Sequence, residues 1–289
     1  MVWTRYCLAS LVGAVAVACA GPPASPPAAH RLNYVALGDS FAATPGVPDV
    51  AQPVGCRKST NDYPSVLARR LPVTTFTDVA CSGATTEDIT DHAQHTKHGA
   101  VQRQIDAVGA TTDLVTITIG ANDVGLAADA ERCRVKSPYS APCSNDLVVD
   151  DVDSISTAIN LNLQGWSTLI DRVHAKAPKA RIVLVGYGTL VRPGGCPAQE
   201  PILPKDSDYL QARLNELDDR QRVVAADKGI EYFDTRPMTQ GHDICAPRSD
   251  RYFEGFLAKD PAVPLHPTAS GAAAVGNTLA GYLGQLGES

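Results

Sequence analysis

Five apolar runs punctuate the chain, at residues 34–37 (YVAL), 73–76 (VTTF), 114–119 (LVTITI), 182–185 (IVLV) and 230–233 (IEYF). Several are rich in Val and Ile and are uninterrupted rather than alternating. Strands covered on both faces read this way, as in a parallel sheet. Between the runs the apolar period changes. Ile155, Ile159, Leu163, Trp166, Ile170 and Val173 fall three or four residues apart, one apolar stripe along a helix. Leu210, Leu214, Leu217 and Val224 form another, and residues 269–286 predict a closing helix. Alternating strands and helices imply right-handed crossovers and an α/β fold, a three-layer α/β/α sandwich on a mainly parallel five-stranded sheet. Four longer irregular stretches are expected, at 44–61, 131–146, 187–208 and 234–264. Connections this long in a compact domain usually carry function.

Composition narrows the class. Of 289 residues 44% are hydrophobic and 19% charged, which is ample for a core, and the formal net charge is −6 without a basic run. Nucleic acid is therefore excluded as a partner. Residues 7–18 form an apolar run preceded by Arg5, too short to span a bilayer but of secretory-signal length. Two processing readings stand: cleavage at Ala18-Cys19-Ala20 (the favoured one), or lipidation of Cys19, for which Ala16 three positions earlier is a poor match to the usual Leu. The expected organisation is a signal peptide at 1–20, a Pro-rich extended linker at 21–31, and a single domain at 32–289. Six cysteines remain outside the signal: Cys56, Cys81, Cys133, Cys143, Cys196 and Cys245. An even number in an exported chain suggests three disulfides, and 15 pairings are open. No C-x-x-C pair occurs, and His92, His95 and His98 beside Asp91 match no zinc spacing, so no metal is expected.

In an open parallel sheet, ligands bind beyond the carboxyl ends of the strands. Three polar motifs fall there: Gly38-Asp39-Ser40 after the first run, Ser82-Gly83 after the second, and Gly120, Asn122 and Asp123 after the third. His266 precedes the final helix. Singly, each has a structural reading: turn chemistry for Ser40 and Gly83, helix capping for Asn122 and Asp123, a surface loop for His266. Together they meet the demands of acyl transfer. A serine hydroxyl needs an adjacent base, and the tetrahedral oxyanion needs donors fixed beforehand. Ser40 supplies the nucleophile and His266 the base, while the Ser40 and Gly83 N–H groups and the Asn122 amide make an oxyanion hole. A helix starting after Ser40 would add a favourable dipole.

The quartet Ser40, Gly83, Asn122 and His266 resembles the SGNH (GDSL-type) hydrolase family, with GDS, SGATTED, GAND and LHPTASG standing for its blocks in order. The six cysteines and GHDICAP further resemble the secreted actinobacterial lipase and esterase branch. That resemblance implies the pairs Cys56–Cys81, Cys133–Cys143 and Cys196–Cys245, a secreted serine carboxylic-ester hydrolase, and no cofactor. His242-Asp243 reads as scaffolding of a disulfide loop. In many family members an Asp three residues before the histidine orients it; here Val263 stands there. The expected orienting group is then the Val263 backbone carbonyl, with Asp260 as the alternative. Asp39 is expected to hold the nucleophile turn, and the loop at Thr44, where many relatives have glycine, to shape the entrance. The expected partners are an ester or lipid substrate and, peripherally, lipid surfaces, with the protein a monomer. A deacetylase or acyltransferase of cell-envelope glycans or glycolipids, and an inactive binding domain, are the alternatives.

Overall fold

The structure is a computed structural model that describes residue 1, residues 31–259 and residues 261–285. The chain separates into Met1–His30 and Arg31–Ser289, and the second unit is described below. The expected signal peptide with Cys19, the linker up to residue 30, and Asp260 lie outside the described residues.

Strand β1 (Leu32–Gly38) runs directly into a four-residue helix, α1 (Ser40–Ala43). Helix α2 (Tyr63–Arg70) starts where the Asp62 carboxylate accepts the Ser65 N–H and Pro64 occupies the first turn, both standard helix-start devices. It leads into β2 (Val73–Asp78). Helix α3 (Thr86–Thr90) opens on a reciprocal Thr85–Asp88 capping box, and the hairpin of β3 (Gln94–Thr96) and β4 (Gly99–Val101) follows. After β5 (Leu114–Thr118) come α4 (Leu126–Arg132), α5 (Ser144–Leu147) and a second hairpin, β6 (Val148–Val149) with β7 (Val152–Asp153). Then α6 (Ser154–Lys176), β8 (Arg181–Val185), α7 (Pro204–Asp227), β9 (Glu231–Phe233), α8 (Arg236–Thr239) and α9 (Ala269–Gln285) complete the described chain.

The central sheet has the order β2-β1-β5-β8-β9 with every pairing parallel. Its two faces are sorted by the twofold alternation of strand side chains. Val35 and Leu37 join Val115, Ile117 and the α6 stripe of Ile155, Ile159, Trp166, Ile170 and Val173. Tyr34 and Ala36 point the other way, onto Leu67 of α2 and Leu279 and Leu283 of α9. These are the expected three layers.

Two details differ from the expectation. The 73–76 run belongs to the edge strand β2, which among the described residues pairs only with β1, and its Thr74, Thr75 and Thr77 are exposed. Helix α7 begins at Pro204, inside the 187–208 stretch read as irregular; Pro at the first helical turn is pre-set for helix because its missing N–H is not needed there.

The strand order reverses between β1 and β5. That reversal opens a crevice at the carboxyl ends of both strands, the place where open α/β sheets bind ligands. The segments bearing Ser40 and Asn122 leave the sheet at this crevice.

Candidate active site

Ser40 stands two residues beyond the strand end, in a tightly fixed backbone. Gln104 clasps Gly38 from both sides: its Oε1 accepts the Gly38 N–H at 2.7 Å and its Nε2 donates to the Gly38 carbonyl at 2.9 Å. A β-carbon on Gly38 would sit 2.6 Å from the Thr118 carbonyl oxygen, so only glycine lets β1 and β5 close up here. Asp39 caps the turn by accepting the Phe41 N–H through Oδ1 at 2.8 Å, as expected of it. Among the described residues the Ser40 N–H has no backbone acceptor. Helix α1 is only four residues long, so individual N–H groups rather than a helix macrodipole are what this site offers a developing charge. Thr44, closing α1, takes the left-handed conformation (φ 49°) that a glycine would adopt freely.

Gly83 also has a left-handed backbone (φ 82°), and a β-carbon there would make only an ordinary contact with Gln94 Nε2 at 3.7 Å, so conformation rather than crowding calls for glycine. Its neighbours are pinned. Ser82 N–H donates to the Cys56 carbonyl, Gln94 Nε2 donates to the Ser82 carbonyl, and Ala84 N–H returns to Cys81. Among the described residues the Gly83 N–H is left without a backbone acceptor. In the third block, Asn122 Nδ2 donates one hydrogen bond to the Ala84 carbonyl at 2.9 Å, which ties the two blocks together and leaves its second N–H available. Asp123 reinforces the tie by accepting the Thr86 N–H and hydroxyl and the Trp166 indole N–H. Burial raises the Asp123 carboxyl pKa, and these donors oppose the shift.

His266 arrives from the loop before α9. Its Nδ1 lies 2.7 Å from the Pro264 carbonyl oxygen, which only accepts, so Nδ1 carries the proton and Nε2 holds a free lone pair. The expected Val263 carbonyl is thus replaced by the one a residue later. Leu265, between Pro264 and His266, has a left-handed backbone (φ 59°), and this turn accompanies the approach of the Pro264 carbonyl to Nδ1. Burial lowers the imidazole pKa to about 4; the Pro264 hydrogen bond opposes this and the Arg57 charge adds to it. The ring packs against Phe41, centroids 5.8 Å apart.

Ser40, Asn122 and His266 line one cavity of about 420 Å³. Gly83 stands in the adjoining turn and is not among the lining residues. The Ser40 hydroxyl and His266 form no hydrogen bond among the described residues; catalytic pairs often tighten only around substrate. Away from the polar end, Leu126, Ala130, Ile202, Leu214, Ile244 and Phe256 make the cavity wall apolar.

The three disulfides are Cys56–Cys81, Cys133–Cys143 and Cys196–Cys245. The first braces the Gly83 turn, and the second closes the excursion after α4, the helix whose Leu126 and Ala130 line the cavity. The third joins the loops that follow β8 and α8. His242 lies stacked on Tyr252 and bonded through Nδ1 to the Asp250 carbonyl, while Asp243 accepts from Arg192 and the Cys245 N–H. Both residues are committed to the loop around Cys245. His92 faces Glu87 and Asp88, and among the described residues no group of three metal-binding side chains converges.

Sequence reasoning missed Gln104 and Tyr187. Tyr187 lines the cavity, with its hydroxyl 2.5 Å from Asp39 Oδ2. An isolated Gln or Tyr carries no local signal; only the folded chain brings either to the site.

Residues 36–274 match the model of the GDSL-like lipase/acylhydrolase family. The chain is 34% identical to Lipase 2 of Streptomyces coelicolor over 270 residues, covering 89% of this chain and 86% of that protein. The extracellular lipase of Streptomyces rimosus superposes with a TM-score of 0.72 at 27% identity, over 86% of this chain and 99% of that one. Phospholipase A1 from Streptomyces albidoflavus does so at 0.68 and 25% identity, with the same coverages. With four blocks in family order and a fold shared along nearly the whole catalytic unit, this chain belongs to the GDSL-like lipase/acylhydrolase family and is a carboxylic-ester hydrolase.

Proposed function

We propose that the protein is an exported lipase or esterase that cleaves esters of medium or long acyl chains through an acyl-enzyme on Ser40. The observation that carries the reading is the apolar cavity opening onto Ser40, Asn122 and His266. Pockets of this size and lining suit drug-sized apolar ligands, whereas an acetyl group would leave most of the wall in contact with water.

The Ser40 hydroxyl attacks the ester carbonyl as His266 Nε2 takes its proton. Nδ1–H stays on the Pro264 carbonyl, which fixes the tautomer and stabilises the imidazolium as it forms. The Ser40 and Gly83 N–H groups and the second Asn122 amide N–H receive the oxyanion, and among the described residues the first two are spent on no backbone partner. Collapse of the tetrahedral species expels the alcohol, which takes the proton from His266. A water then repeats the sequence on the acyl-enzyme and regenerates Ser40. Export is supported by the apolar segment at 7–18, the three disulfides and the likeness to an extracellular lipase.

A p-nitrophenyl ester series from acetate to palmitate tests the substrate reading. kcat/KM should rise from acetate toward the medium and long chains. Preference for acetate alone would overturn it in favour of a glycan deacetylase.

A further inference from the structure

Tyr187 belongs to neither the nucleophile block nor the oxyanion block, yet its hydroxyl touches both. The hydroxyl donates to Asp39 Oδ2 at 2.5 Å and accepts the Ala121 N–H at 3.0 Å. Asp39 immediately precedes Ser40, and its other oxygen takes the Phe41 N–H. Ala121 immediately precedes Asn122. One phenol therefore spans the two segments whose separation sets the distance between nucleophile and oxyanion donor. The phenol itself is fixed: Tyr187 is 2% exposed, its N–H donates to the buried Asp218 carboxylate at 3.1 Å, and its ring meets the Phe41 ring edge-on at 4.8 Å. Phe41 in turn packs on the His266 ring. One backbone bond runs alongside the clasp, from the Asp39 N–H to the Thr118 carbonyl at 2.8 Å, but it holds the strand end; beyond it, among the described residues, neither the Ser40 nor the Asn122 N–H is tied to other backbone, and the phenol is what links those two positions.

We infer that Tyr187 is a positioning residue of the hydrolytic reaction, a clasp through Asp39 and the Ala121 N–H that holds the nucleophile turn in register with the oxyanion loop. The inference rests on the acyl-enzyme reading above and adds a residue to it. A tyrosine that merely lined the acyl cavity would act on binding, and on long chains more than on short ones. A clasp acts on kcat, equally for every chain length, because it sets where the reacting groups stand.

Tyr187→Phe keeps the ring and removes the hydroxyl. kcat should fall about 10- to 100-fold, the scale of loss for small misplacements of reacting groups, with KM for a short soluble ester unchanged. The loss should be the same for butyrate and for decanoate esters. In the Asn122→Ala background the same change should cost much less, since the donor being aligned is already gone. Asp39→Asn, which turns one acceptor of the clasp into a donor, should lower kcat in the same way, and the pair Tyr187→Phe/Asp39→Asn should be less than additive. This second variant serves if the first is poorly folded by thermal melting. Wild-type kcat in both variants, a loss confined to KM of the long esters, or full additivity with Asn122→Ala would overturn the clasp. The rate at which a fluorophosphonate labels Ser40 separates the two claims. If the wild type does not react at Ser40, the acyl-enzyme reading fails. If it does react and Tyr187→Phe reacts equally fast, only the clasp fails.

Discussion

Acid is the sharpest perturbation of the proposed base. The imidazole of His266 must be neutral to take the Ser40 proton, so activity is present above its pKa and lost as pH falls through it. Burial brings that value down to about 4 from the ordinary 6.5. At pH 5 a base of pKa about 4 is about 90% neutral, while an unperturbed histidine would be only about 3% neutral. The two cases differ about thirtyfold in kcat/KM at one pH. The assay is hydrolysis of a short soluble ester from pH 3.5 to 8, with the released alcohol measured by chromatography so that detection does not itself depend on pH. Aliquots returned to pH 7 must recover full rate, which separates titration from acid unfolding. The acid limb should have its midpoint near pH 4. Removing the nearby cation with Arg57→Gln should move the midpoint upward, because the Arg57 charge helps to disfavour the imidazolium. A midpoint at 6.5 or above in the wild type would refute the partly buried, neutral base.

Other consequences are independent of that limb. Asn122→Ala should lower kcat about 10²- to 10³-fold, the usual cost of one oxyanion donor, and steady-state kinetics on a butyrate ester checks it. The disulfide loops span separations of 49, 25 and 10 residues, so the chain-entropy model assigns them about 4, 3.5 and 2.7 kcal/mol. Denaturant unfolding of paired Cys→Ala variants should rank Cys196–Cys245 above Cys56–Cys81 above Cys133–Cys143. Buried Asp39 and Asp218 have pKa values raised to about 7 by desolvation, so above pH 7 each must be ionised in a poor environment. The folded state binds more protons than the unfolded one between about pH 4 and 7, so the contribution of these groups to stability falls as pH rises through that range. His266 works in the opposite sense only below its unfolded value of 6.5. Melting temperature should therefore be higher at pH 6.5 than at pH 8.5.

Much of the framework was legible before folding because the physics is local. The runs at 34–37, 114–119 and 182–185 are buried on both faces and so lost the alternation that a half-exposed strand keeps. The α6 stripe from Ile155 to Val173 announced its own buried face. At the site, Ser40, Asn122 and His266 could be read because each follows or precedes a periodic element and carries a side chain with few other uses there. What was not legible depends on contacts remote in the chain or on single backbone angles. The Tyr187 hydroxyl reaches an Asp39 carboxylate 148 residues away, and Gln104 clasps a glycine 66 residues before it. The shift from Val263 to Pro264 as the partner of His266 accompanies the left-handed φ of Leu265, a residue type that gives no hint of it. The open border at β2 was hidden because VTTF reads as apolar at its ends, and exposure depends on the sheet order.

The central claim, covalent catalysis at Ser40, is met most directly by peptide mapping after reaction with a fluorophosphonate. The account predicts a single stoichiometric adduct on the peptide containing Ser40, absent from Ser40→Ala and formed far more slowly in His266→Ala. An adduct on any other serine, or an active enzyme that stays unmodified, would contradict it.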